Sequence, residues 1–179
     1  MTNAIERRLQ DACGEDRVQR DAPLAPATTF KVGGRADWLV HARTREDISR
    51  ALAVARELDL PVTVLGGGSN VLIADGGVRG VVIRVHGGDV ARIDQGHIRA
   101  DGGVTINGLV RWTISHGVAG LEAWAGTPGT VGGGTICAWA VAMAMPRAAP
   151  AVFSARRPIA IHRPTATSTT SMPSMNSGT

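Results

Sequence analysis

The chain has 179 residues and a mass of 18.6 kDa, room for one domain or two small ones with a proper core. With 44% apolar and 19% charged residues, it is not a wholesale disordered chain. Through Glu122, 15 Arg plus Lys balance 15 Asp plus Glu, so the whole net charge of +4 comes from Arg147, Arg156, Arg157 and Arg163. A nucleic-acid footprint needs basic clustering on the folded part and aromatics to stack bases, so no nucleic-acid partner is expected.

Residues 1–20 are studded with charge and carry no apolar stretch, so they read as an N-terminal segment (1–23) with no secretory signal. Residues 37–42 (DWLVHA) form the first expected strand. Thr44 then offers an N-cap, with Asp47 three residues on. The helix that follows carries Ile48, Ala51, Leu52 and Ala55 at helical spacing, and Leu60-Pro61 ends it. Residues 62–65 read as a short buried strand leading into Gly66-Gly67-Gly68-Ser69-Asn70. Further strands are expected at 71–74 and 81–85 around the turn Asp75-Gly76-Gly77. Ile93 and residues 97–100 suggest an edge hairpin about Gln95-Gly96. A second helix is expected over 105–116, with Ile106, Leu109, Val110 and Ile114 on one face and Gly117 as its stop.

Composition breaks near Gly134. Of the 23 glycines, 22 lie at or before that residue. Residues 146–179 alternate Ala, Arg, Pro, Ser and Thr with little periodicity and read as disordered. Residues 136–145 suggest a short helix. This longest apolar run is about half the roughly 20 residues that a spanning helix needs, so no membrane is expected and the chain reads as cytoplasmic. Cys13 and Cys137 suggest neither a disulfide framework nor a zinc site. His41, His86, His97, His116 and His162 show no ligand spacing. Trp38, Trp112, Trp124 and Trp139 read as core or interface residues.

Two segments could carry chemistry. The first is Gly66, Gly67, Gly68, Ser69, Asn70 and Val71. A strand ending in three glycines lets backbone approach a ligand closely and aim successive N–H groups at an anion. The glycine spacing is not that of a Rossmann fingerprint, and no Gly-Lys-Ser/Thr follows as in a P-loop. A plain tight turn is the competing reading. The second segment is Gly126, Thr127, Pro128, Gly129, Thr130, Val131, Gly132 and Gly133, a rigid and side-chain-poor surface able to lie against a planar ring. Here an ordinary loop is the alternative. Glu122, just before it, is expected to accept backbone N–H groups from that loop rather than to act as an acid or base.

Taken together, LGGGSNVLI and, about 55 residues later, GLEAWAGTPGTVGG resemble the UDP-N-acetylenolpyruvoylglucosamine reductases of peptidoglycan synthesis. The segment Thr29-Phe30-Lys31-Val32-Gly33-Gly34-Arg35-Ala36 is also similar to the start of that family's flavin domain. The resemblance covers residues 24–134. It implies an α+β FAD-binding domain of the vanillyl-alcohol oxidase type, built from two α+β subdomains that hold FAD between them. By the same resemblance, Gly66 to Val71 would cradle the FAD pyrophosphate, and Gly126 to Gly133 would line the ribityl chain and flavin ring. The segment at Gly102 and Gly103 would approach the cofactor too, with Asp101 standing where the family prefers a small residue. The implied activity is NADPH-dependent reduction of UDP-N-acetylglucosamine enolpyruvate to UDP-N-acetylmuramate, by a monomer.

After Gly133 the resemblance stops. The family's Asn-Ala-Gly segment, its Tyr-Arg pair, its proton-donating serine and its late glutamate find no counterpart in a chain without Tyr and without Glu beyond Glu122. No catalytic residue is therefore assigned. Residues 135–179 read as a divergent tail with no substrate-binding domain, as out-of-frame translation of a GC-rich gene would produce. The expectation is an FAD-binding portion inactive as this chain. An FAD-dependent oxidase of the same superfamily and a non-catalytic nucleotide-binding module are the alternatives.

Overall fold

A computed structural model of the chain describes residues 2–94, 97–135 and 159–160. The chain opens with a helix, α1 (Thr2–Cys13), where the sequence reading assigned no element. Leu9 and Cys13 are buried and Ile5 and Ala12 pack beside them, a stripe at helical spacing between the charges. Burial pushes the Cys13 thiol above its ordinary value, with the nearby Asp47 adding to the effect. Strand β1 (Val18–Pro23) follows, also unassigned from sequence, and lies antiparallel to β2 (Arg35–Ala42).

Helix α2 (Arg45–Glu57) begins where expected. The Asp47 amide donates to Thr44 Oγ1, and the amides of Arg43 and Thr44 donate to Asp47 Oδ2, a reciprocal cap. Burial alone would raise the Asp47 carboxyl, but those two amides and the Arg17 guanidinium outweigh it and hold it below its ordinary value. Ala51, Val54 and Ala55 form the buried face. Leu52, expected among them, lies on the exposed side. Strands β3 (Val62–Leu65) and β4 (Val78–Val85) complete a sheet of order β1-β2-β4-β3, in which β2, β4 and β3 run parallel.

Strand β4 is covered on both faces. Val81 and Ile83 meet Trp38, Val40 and Ala42 under the two helices, while Val82 meets Leu39, Leu65 and Ala36 on the other side. Such double burial selects the near-continuous apolar run of a central parallel strand. Strand β3 is not the buried strand expected, because it forms the sheet's edge and leaves Val62 and Val64 exposed. Residues 71–74 form no strand either. They run as irregular chain whose Ala74 carbonyl accepts from Gly34 and Gly77, fixing the turn that follows.

The remainder builds a smaller sheet. Strands β5 (Val90–Arg92) and β6 (His97–Ala100) form the expected hairpin, whose tip at Gln95-Gly96 lies outside the described residues. A two-residue strand β7 (Ile159–Ala160) pairs antiparallel with β6. Helix α3 (Ile106–Ser115) is capped by Thr105 Oγ1, which accepts from the Gly108 amide. Its Ile106, Leu109 and Val110 are buried as expected, but Ile114 is exposed and Thr113 takes the inner position. The expected helix at 136–145 and the rest of the tail lie outside the described residues, apart from 159–160.

Candidate functional site

Parallel strands β2, β3 and β4 end at the same side of the sheet, where open α/β sheets take up ligands. Leu65, the last residue of β3, leads into Gly66. There the fold brings the two glycine segments into contact. A Cβ on Gly66 would lie 2.7 Å from Thr130 Oγ1, and one on Gly67 would lie 3.2 Å from Gly129 Cα. Gly68 has φ +66, and a Cβ there would lie 2.0 Å from the Ala27 carbonyl oxygen. The Thr29 amide donates to the Gly68 carbonyl at 2.9 Å, so the segment before β2 backs the same loop.

The third segment joins them. The Gly132 amide donates to the Gly102 carbonyl at 2.9 Å, and Val131 N–H to Val104 O at 2.8 Å. A Cβ on Gly103 would strike Gly87 O at 2.5 Å and the backbone of His86 at 2.8 Å. Asp101, the departure noted from sequence, turns toward the 88–89 segment, where its Oδ2 accepts from the Asp89 amide at 2.9 Å. Residues 67, 102 and 126 are exposed at this convergence.

Amide supply differs between the two loops. Among the described residues, the N–H groups of Gly67, Gly68, Ser69 and Asn70 donate to no other group. In the second loop Gly126 N–H is taken by Asn107 Oδ1 at 2.7 Å, Thr127 N–H by Trp124 O, and Gly133 N–H by Thr130 Oγ1. Glu122 does accept a backbone N–H, but from Gly120 at 2.7 Å and not from the glycine loop as expected. A run of free amides in a side-chain-poor turn is an anion-binding concavity. It suits the phosphates of a dinucleotide, and a chain without side chains at 66–68 and 132–133 admits one closely. The residues present fit a nucleotide cofactor.

The comparisons agree. Residues 36–143 match the model of the FAD binding domain. The chain belongs to this FAD-binding family. A UDP-N-acetylenolpyruvoylglucosamine reductase of Geobacillus kaustophilus is 39% identical over 129 residues, covering 72% of this chain and 42% of the relative. One from Anaeromyxobacter sp. (strain Fw109-5) is 45% identical over 133 residues, covering 72% of this chain and 39% of the relative. The chain thus spans about two-fifths of the length of these curated relatives. Among solved structures, the UDP-N-acetylenolpyruvylglucosamine reductase of Thermus caldophilus is similar with TM-score 0.51 and 34% identity, over 66% of this chain and 41% of that one. A 4-ethylphenol oxidase from Gulosibacter chungangensis shares the fold with TM-score 0.51 at 16% identity, over 65% of this chain and 25% of that one. The fold is the α+β FAD-binding fold of vanillyl-alcohol-oxidase type, and FAD is the cofactor of the family.

Sequence reasoning missed one cluster. His41 Nδ1 lies 3.2 Å from His86 Nε2, with the rings edge-on at 5.3 Å. Burial holds both imidazoles below their ordinary value. Arg84 and Arg43 add to this at both rings, and the His41 ring adds to it at His86. The two histidines are 45 positions apart, and only the β2–β4 register joins them. The tryptophans divide: Trp38 is core, Trp112 stacks on His116 at 4.0 Å, Trp124 is exposed, and Trp139 lies outside the described residues. Among the described residues no helix is long and apolar enough to cross a membrane.

Proposed function

We propose that this chain is the FAD-binding portion of a UDP-N-acetylenolpyruvoylglucosamine reductase. The observation that carries it is the meeting of the two glycine loops at the ligand end of the sheet, one with its amides free. The amides of Gly67, Gly68, Ser69 and Asn70, with Gly66 and Val71 beside them, would hold the diphosphate. Gly126, Thr127, Pro128, Gly129, Thr130, Val131, Gly132 and Gly133 would face the ribityl chain and ring, with Gly102 and Gly103 between. The cofactor, once bound, supplies hydride chemistry that no side chain can perform. The chain's own residues bind and orient it. Asn107, by fixing Gly126, and Thr130, by fixing Gly133, hold the second loop rigid where a planar ring would lie.

The substrate would be UDP-N-acetylglucosamine enolpyruvate, with NADPH as reductant. Flavin binding and substrate chemistry are separable in this chain. The cofactor residues all lie between Gly66 and Gly133, whereas Tyr is absent and Glu does not recur after Glu122. We therefore read the chain as a flavin binder that does not by itself turn over the sugar. The test is the visible spectrum of the desalted chain after incubation with FAD, followed by NADPH oxidation with and without the UDP-sugar. A retained flavin band near one equivalent, without sugar-dependent oxidation, is expected. A folded sample that retains no flavin would overturn the binding role.

A further inference from the structure

The sheet register places a cation that no described residue pairs beside Leu65, where the first glycine loop begins. Arg84 on β4 is the partner of His41 on β2 and of Leu65 on β3, so the three side chains share one row on one face of the sheet. That face carries Val82, Leu39 and Leu65 in its core, and Leu65 is followed at once by the first glycine loop. His86, two residues beyond Arg84, meets His41 on the same face, and its backbone packs against Gly103, whose neighbour Gly102 meets Gly132 of the second loop. Arg84 thus lies beside Leu65, at the entry to the first glycine loop, and two residues before the His86 backbone that Gly103 packs against.

Its own hydrogen bonding is incomplete. Among the described residues, buried Arg84 Nε has no hydrogen-bond partner and no carboxylate pairs with this guanidinium. The other arginine close by is Arg43, and the two imidazoles are occupied with each other. A buried guanidinium N–H without an acceptor is destabilising, and in a native structure it calls for a group that completes it. An acceptor that carries negative charge completes a guanidinium best. Arg is also the side chain whose planar fork matches phosphate oxygens.

We propose that Arg84 is a phosphate-binding residue, its guanidinium supplying the side-chain charge for a diphosphate whose other oxygens meet the amides of residues 67–70. The location of that diphosphate rests on the flavin-site reading above; the unmet charge does not. Burial, with the charges of Arg84 and Arg43, disfavours protonation of His41 and His86 beside it.

The test uses the 179-residue chain as wild type, Arg84→Gln and Arg84→Lys, with circular dichroism melts to establish folding. FAD and riboflavin are titrated by flavin fluorescence, and sodium pyrophosphate by its effect on Tm. Arg84→Gln should weaken FAD on the order of ten- to hundredfold, the loss expected for a charge-assisted hydrogen bond, and leave riboflavin unchanged. Arg84→Lys should fall between, because a point charge replaces the fork. Pyrophosphate should raise the Tm of the wild type and not of Arg84→Gln. Equal FAD affinity in the wild type and Arg84→Gln would overturn the proposal, as would an equal loss for FAD and riboflavin. If Arg84→Gln does not fold, Arg84→Lys decides by the same FAD-to-riboflavin contrast. A wild type that ignores flavin but is stabilised by pyrophosphate through Arg84 would sink the flavin reading and leave this one standing. Indifference of the folded wild type to both FAD and pyrophosphate would overturn both.

Discussion

In the loop after β3, the amides of Gly67, Gly68, Ser69 and Asn70 donate to no described residue, and Asn70 lies exposed. In the loop at 126–133, those of Gly126, Thr127, Val131, Gly132 and Gly133 are taken up by Asn107, Trp124, Val104, Gly102 and Thr130 respectively. Both loops are glycine-rich, yet they use glycine for different ends. The first keeps its donors in hand and suits a group that carries charge. The second spends most of its donors on bracing and suits a flat, weakly charged group that needs a fixed surface. Glycine content alone says only that backbone comes close; the destination of the N–H groups says to what.

The contrast can be broken most sharply at Gly68. Its positive φ and the 2.0 Å approach to the Ala27 carbonyl leave no room for a side chain, so Gly68→Ala should cost about 3 kcal/mol, from left-handed strain plus displacement of the 27–29 segment. A urea melt measures it; a change under about 1 kcal/mol would mean the first loop is not anchored by that segment. Next comes the bracing of the second loop. Asn107→Ala removes the acceptor of the Gly126 amide and should cost about 1 kcal/mol, with flavin affinity falling through loss of order rather than of contact. Equal Tm for the wild type and Asn107→Ala would show that the second loop stands without it.

The smallest effect belongs to the row behind the loops. His41 and His86 are held below 6.5 in the folded chain, so the folded state binds fewer protons than the unfolded one as pH falls through that value. Their contribution is fully present above 6.5 and is lost progressively below it. Tm should therefore decline modestly from pH 7.5 to 5.5, and His86→Gln should flatten the slope. An unchanged slope in that variant would place the titration elsewhere.

The parts legible in sequence were those fixed by neighbours in the chain. Thr44 and Asp47 announce a helix start because the cap closes within four residues, and the two glycine segments stand out by composition. The first helix escaped because its stripe of Ile5, Leu9, Ala12 and Cys13 is thin and set among charges, so burial against the sheet had to be seen to be believed. Ile114 and Thr113 are both compatible with helical spacing from Val110. Packing chose Thr113, whose hydroxyl donates to the Val110 carbonyl and so enters the interior satisfied. Val62 and Val64 have the composition of a buried strand, but position at the sheet's edge is a property of topology. The row of His41, Arg84 and Leu65 depends on strand register, which no local window contains.

One consequence of the first helix is practical. Cys13 sits at 5% exposure between α1 and the sheet, with its thiol held protonated by burial. An alkylating reagent can reach it only when α1 lifts away. In a Cys137→Ser variant, the labelling rate of Cys13 would serve as a clock for that opening. The clock would run without a fluorophore and would read separately from events at the glycine loops. A ligand that slows it would be reporting across the thickness of the sheet.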